Sequence, residues 1–272
     1  MILRAQPLLV LALTVGLRAA APSEATKPRP STGALTDDAP AGVSAPQAQA
    51  LNVAYNGKYE ITRIRYTANE RGYYEFFGDR LQVWEHDYPR AERHLARIVA
   101  EVTTIVPDLD ASNTFFASDP NLTHFPIAYF CEAGFWGPTD KEVVGMRNYL
   151  QKGGFLIIDD FRGEDWDNFL VQLNRVLPGI RPIELDVSHP IFHVFFDMQA
   201  LPTVAPTFRW LRPVFYGLFE NNDPRGRMMA IVDYNNDVSE YWEWSDTGMF
   251  ALDLSNEAYK LGLNYIVYAM TH

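Results

Sequence analysis

The stretch "GGFLIIDDF", residues 153–161, decides the fold. Gly153 and Gly154 suit a left-handed cap that ends a preceding helix, and the apolar run after them suits a short buried strand. The run ends in two adjacent carboxylates, Asp159 and Asp160. A strand apolar along its length belongs inside a sheet covered on both faces, and its acidic tip belongs in water. Immediately upstream, Thr139 and Glu142 of "TDKE" have capping-box spacing and open a helix with Val143, Met146 and Leu150 on one side. "FPIAYF" (125–130) suits a second buried strand. Downstream, Trp166, Phe169, Leu170, Leu173 and Leu177 mark an amphipathic helix stopped by Pro178-Gly179.

Further out the alternation continues. "YEITRIRYT" (59–67) predicts a half-exposed strand, and a helix with Pro89 in its first turn carries Ala91, Leu95, Ile98, Val99 and Val102 on one face. "RPIELDV" and "RMMAIVDY" predict later strands, and "SNEAYKLGLNYIVYAMTH" predicts a closing helix with Ser255 as N-cap. The pattern predicts an α/β domain with a mostly parallel sheet between two helical layers.

In such sheets ligands bind beyond the carboxyl ends of the strands. Asp159, Asp160, Glu132, His189, Asp233 and Asp237 follow apolar runs and are expected there, although wet strand ends attract acids for no functional reason. Strand alternation sends Asp159 and Asp160 to opposite faces, so Asp160, nearer the turn, is the one expected in the crevice. In "SHPIF", Pro190 biases His189 toward extended geometry, which projects the imidazole from a rigid turn as a base, a ligand or a hydrogen-bonded anchor. Asp160 and His189 are the candidate catalytic pair. Glu132, Asp159, Asp237 and Trp242 are the candidate ligand-binding residues. Trp242, beside Tyr241 and Trp244, has the ring to stack on a sugar, while packing against the sheet is the commoner use.

Asp233, Asn235 and Asp237 open like a calcium loop, but Val238 stands where that loop needs Gly and Trp244 where it needs Glu. No metal or cofactor is assigned from the sequence. The single cysteine, Cys131, ends an apolar run and is expected to be a buried structural thiol. G-x-S-x-G, P-loop, G-x-G-x-x-G and H-E-x-x-H signatures are absent.

The 272 residues are 47% hydrophobic, and 23 basic against 34 acidic residues give a net charge of -11. No basic stripe stands out, which argues against a nucleic-acid partner. Arg4, the run "LLVLALTVGL" (8–17) and "AAA" (19–21) follow the order of a secretory signal peptide. The expected organisation is a signal peptide at 1–21, a disordered Pro/Ala-rich linker at 22–50 and an α/β domain at 57–272, in a periplasmic or secreted protein. The apolar run is too short to span a bilayer, so no transmembrane span remains once it is cleaved; retention as an anchor stays open.

Taken together, "FPIAYF", "GGFLIIDDF", "SHPIF", "NNDVSEYWEW" and "EAYKLGLNYIVYAM" resemble an uncharacterised bacterial family described as a domain of unknown function. That family's fold is similar to class I glutamine amidotransferases, with a more distant likeness to trehalose-utilisation-like proteins. The resemblance implies a flavodoxin-like three-layer sandwich. It brings no mechanism, and it argues against glutaminase activity: Asp159-Asp160-Phe161 stands where those enzymes carry their cysteine elbow, and Cys131 is one strand too early. Two functions remain. One is a non-catalytic periplasmic binding or assembly module, with a cell-envelope protein or glycan as partner. The other is a hydrolase of a glycan or cell-wall substrate using Asp160 and His189.

Overall fold

The computed structural model describes residues 52–76, 79–109, 112–201 and 210–272; the signal peptide and linker expected at 1–50 lie outside them. The chain runs β1 (Thr62–Arg65), β2 (Tyr73–Phe76), β3 (Asp79–Gln82), α1 (Arg90–Val102), β4 (Thr114–Phe116), β5 (Ile127–Cys131), α2 (Asp140–Gln151), β6 (Phe155–Phe161), α3 (Asp165–Val176), β7 (Ile183–Glu184), β8 (Val214–Phe219), β9 (Met228–Tyr234), α4 (Val238–Glu243) and α5 (Leu252–Thr271). One seven-stranded sheet has the order β4-β1-β5-β6-β9-β8-β7, and β2 and β3 pair separately. From β4 to β9 all pairings are parallel; β8 is antiparallel to both its neighbours. The expected α/β class and mostly parallel sheet are therefore present.

Alternation along the central strands divides the core in two. Tyr129, Cys131, Ile157 and Ile231 face one side, packed by α1, α4 and α5; Phe130, Leu156, Ile158 and Val232 face the other, packed by α2 and α3. Helix α1 is held by its stripe, with Leu95 and Val99 fully buried and each contributing about 1.5–3 kcal/mol, while Val102, expected on the same face, is exposed. The capping box at α2 forms as its spacing predicts, with Glu142 N to Thr139 Oγ1 at 3.3 Å and Thr139 N to Glu142 Oε2 at 2.8 Å. Gly153, at φ +107°, turns the chain from α2 toward β6.

Three local expectations are corrected. Pro89 precedes the first helical residue of α1 instead of lying in its first turn, and the Tyr88-Pro89 peptide is cis. Helix α5 begins at Leu252, because the Leu254 and Ser255 amides already bond the Ala251 carbonyl; Ser255 is buried inside it and does not cap it. The strand expected to be half-exposed in "YEITRIRYT" forms β1 with Thr62, Arg63 and Ile64 fully buried, and β8 was not expected from the sequence.

Candidate functional site

The site begins with an irregularity in β6. Ile158 pairs with Val232 and Phe161 with Tyr234, so Asp159 and Asp160 together stand against the single residue Asp233 of β9. This is a β-bulge, and its extra residue resets the side-chain alternation. Asp160 takes a left-handed φ of +58°. Phe161 then falls on the same face as Ile158, one residue out of ordinary phase. The Asp160 carboxylate swings toward the Cys131 face, with Oδ2 3.6 Å from Cys131 Sγ. The expected opposition of Asp159 and Asp160 is thus corrected: the bulge puts both acids on one side.

They do different work there. Asp159 Oδ2 accepts from the Tyr129 hydroxyl (2.6 Å) and from the Val238 and Ser239 amides (2.7 and 3.1 Å). It fastens the start of α4 to the sheet. Burial pushes its pKa up to about 7, against the Tyr129 hydrogen bond that lowers it. Asp160 Oδ2 instead meets His86 Nδ1 at 2.7 Å.

His86 and Asp87 arrive on the segment between β3 and α1. Asp87 adopts φ +63°, and its Oδ2 accepts from Ser239 Oγ at 2.5 Å. Arg63, fully buried on β1, positions this segment: Nη1 donates to the carbonyls of Trp84 (3.1 Å) and His86, while Nε pairs with Glu92 at 2.5 Å. Burial acts to lower the His86 pKa, but the Asp87 and Asp160 carboxylates outweigh it and hold the imidazole well above its usual value. Because 38% of the His86 side chain stays exposed, solvent softens the burial penalty, and the raised direction stands. Burial, followed by the Asp160 charge, holds Cys131 as a neutral thiol with a pKa well above normal. The thiol is fully buried, as expected for a structural cysteine, and its raised pKa argues against a nucleophile.

More acids close the edge from α4. Asp237 caps that helix through the Glu240 amide at 3.2 Å, and Glu240 and Glu243 follow at three-residue spacing. Burial, then Asp87, raises Glu240 to about 8 and Glu243 to about 9. Glu132, at φ +54° after β5, is pushed well above the carboxylate range by burial and then by Asp160. Two groups of donor atoms come together, His86, Asp87, Cys131 and Asp160 in one, and Asp87, Asp237 and Glu240 in the other, each within 4.8 Å.

Other candidates lie elsewhere. His189 does not meet Asp160. A turn closed by the His189 amide on the Asp186 carbonyl (3.1 Å) carries its ring to Phe219 and Tyr268. Phe219 pairs with Met228, the first residue of β9, and Tyr268 lies against Phe155, the first residue of β6. His189 is therefore at the amino edge of the parallel strands, across the sheet from the acids. Its Nδ1 accepts from the Ile191 amide at 3.2 Å, which makes it a hydrogen-bonded turn anchor. Trp242 is 1% exposed and packs edge-on to Tyr129, leaving no free face for a sugar. Asp233 is buried against Tyr265 and Asn235 bridges to Gly163 and Arg212, so with Asp237 they form no calcium loop.

The family described as Domain of unknown function (DUF4159) matches residues 61–270. The chain belongs to that family. The match runs from just before β1 to the last turn of α5, so the bulge and every acid named above lie within the family's domain. No curated protein matches the chain. His86, Asp87, Glu240 and Glu243 were not singled out from the sequence. The signals were "EHDYP" (85–89), a His-Asp pair just ahead of a helix, and the acidic three-residue spacing in "DVSEYWE" (237–243), masked by its aromatic residues.

Proposed function

We propose that the chain is an exported, non-catalytic binding or assembly module on a flavodoxin-like, amidotransferase-like sandwich, and that its carboxyl-edge crevice takes up a cationic ligand. One observation carries the reading: Asp87, Glu132, Asp160, Asp237, Glu240 and Glu243 crowd one edge, and the carboxyls among them that are pushed up in pKa are pushed up by burial and by one another. A bound cation relieves that repulsion. Asp160 in the elbow-like position and the neutral thiol of Cys131 support a binding role over acyl transfer. In the cell envelope the cation is presented by a partner protein or glycan, or held to organise the surface that meets one. The second reading, a hydrolase, loses the pair Asp160 and His189; the 2.7 Å His86–Asp160 contact is the arrangement that favours it.

Two results test the proposal. N-terminal sequencing of protein recovered from outside the cytoplasm should begin at about Pro22; intact Met1 in the cytoplasm removes export. In a thermal-shift series, divalent cations or polyamines at about 100 times Kd should raise Tm by roughly 5–10 °C, the effect of about 2.7 kcal/mol on a domain this size. A shift by neutral glycans with none by any cation replaces the cationic reading.

A further inference from the structure

We propose that His86, Asp87, Cys131 and Asp160 form a site for one divalent transition-metal ion of the zinc class. The inference rests on the cation-binding reading and narrows it to a metal and a ligand set. The four donor atoms lie within 4.8 Å of one another, a spread that small side-chain rotations contract around a single ion with bonds of roughly 2.0–2.3 Å. A second observation points to a ligand. Asp87 is 5% exposed, yet its Oδ1 has no hydrogen-bond partner and lies 3.7 Å from His86 Nε2. A buried carboxylate oxygen that meets only an imidazole at ion-pair distance and the neighbouring Glu240 and Glu243 carboxyls is an arrangement that an ion completes.

The donor types select the ion. Calcium and magnesium take shells of oxygen, whereas sulfur with imidazole and carboxylate suits zinc and its neighbours. On binding, the Cys131 thiol and the His86 imidazolium each give a proton to solvent, and they ligate as the thiolate and the neutral ring. The surrounding shell is already built. Ser239 Oγ holds Asp87 Oδ2, Arg63 holds the His86 carbonyl, and the bulge fixes Asp160 beside Cys131. His86, partly open to solvent, marks the way in.

The test uses the mature protein and cobalt(II), a spectroscopic substitute for zinc. One equivalent should give visible ligand-field bands and a sulfur-to-cobalt charge-transfer band. Cys131→Ser should remove the charge-transfer band and keep the ligand-field bands. Asp87→Asn and His86→Gln should each weaken zinc binding by at least about 10-fold. Circular dichroism checks each variant, and if Cys131→Ser does not fold, the two affinity variants decide. Absence of the sulfur band in the wild-type protein, its survival in Cys131→Ser, or unchanged zinc affinity in both other variants overturns the site. If calcium or a polyamine stabilises the protein while cobalt gives no sulfur band, the metal site falls and the cationic reading stands. If no cation stabilises it, both fall.

Discussion

Replacing Arg63 by Met is expected to lower the unfolding free energy by about 3–5 kcal/mol, the usual result of removing one partner from a buried ion pair. Arg63 is fully buried and Glu92 is 4% exposed, so the substitution strands a carboxylate in the core. Burial already pushes the Glu92 pKa up, with Arg63 drawing it down; without the guanidinium, Glu92 takes up a proton, which caps the loss. The carbonyls of Trp84 and His86 lose their donor at the same time. The double variant Arg63→Met/Glu92→Leu separates two roles. Apolar replacement of a whole buried pair is often neutral or stabilising, so urea unfolding should show most of the stability returning. Cation binding should not return, because the carbonyls of Trp84 and His86 then lack the guanidinium that positions the His86–Asp87 segment. Recovery of both shows that Arg63 serves the core alone.

The second large effect is on pH. Without a bound cation, stability should fall as pH rises from about 5 to about 9. Asp159 is fully buried and titrates at about 7 in the folded protein, raised chiefly by burial. In the unfolded chain an aspartate gives up its proton near pH 4. Between those values the folded state binds more protons than the unfolded state, so the slope of stability against pH is negative. The contribution is complete below pH 4 and is lost as pH passes through about 7, by roughly 2–4 kcal/mol. Glu240 and Glu243, at about 8 and 9, extend the decline toward alkaline pH, more weakly because both are half-exposed and screened by solvent. Urea titrations at several pH values measure the slope, and Asp159→Asn should flatten its portion near pH 7. A rise in stability across the window shows that these acids ionise in the folded protein at no cost.

The residues of the acidic edge differ in how far the sequence reveals them. Asp160 at a strand tip follows from "GGFLIIDDF" alone, because an apolar run between a glycine cap and a polar turn has one place in an α/β sheet. The capping box of α2, the stripe of α1 and the burial of Cys131 follow in the same way, since each depends on neighbours within a turn or a strand. What the sequence determined by itself was therefore the class, the order of the main elements and the acidic strand ends. The bulge that turns Asp159 and Asp160 to one side depends on register with β9, more than seventy residues away, and no local spacing encodes it. His86 reaches Asp160 across 74 residues because Arg63 holds its carbonyl from another strand. His189 fell on the opposite edge because the turn after Asp186 doubles the chain back, and Trp242 was taken into the core because Asp159 fastens the start of α4 to the sheet and the ring packs on Tyr129. Only the tertiary structure decided which acids meet: a carboxylate's partners are set by the paths of strands distant in the chain, while its position at a strand end is set by the few residues before it.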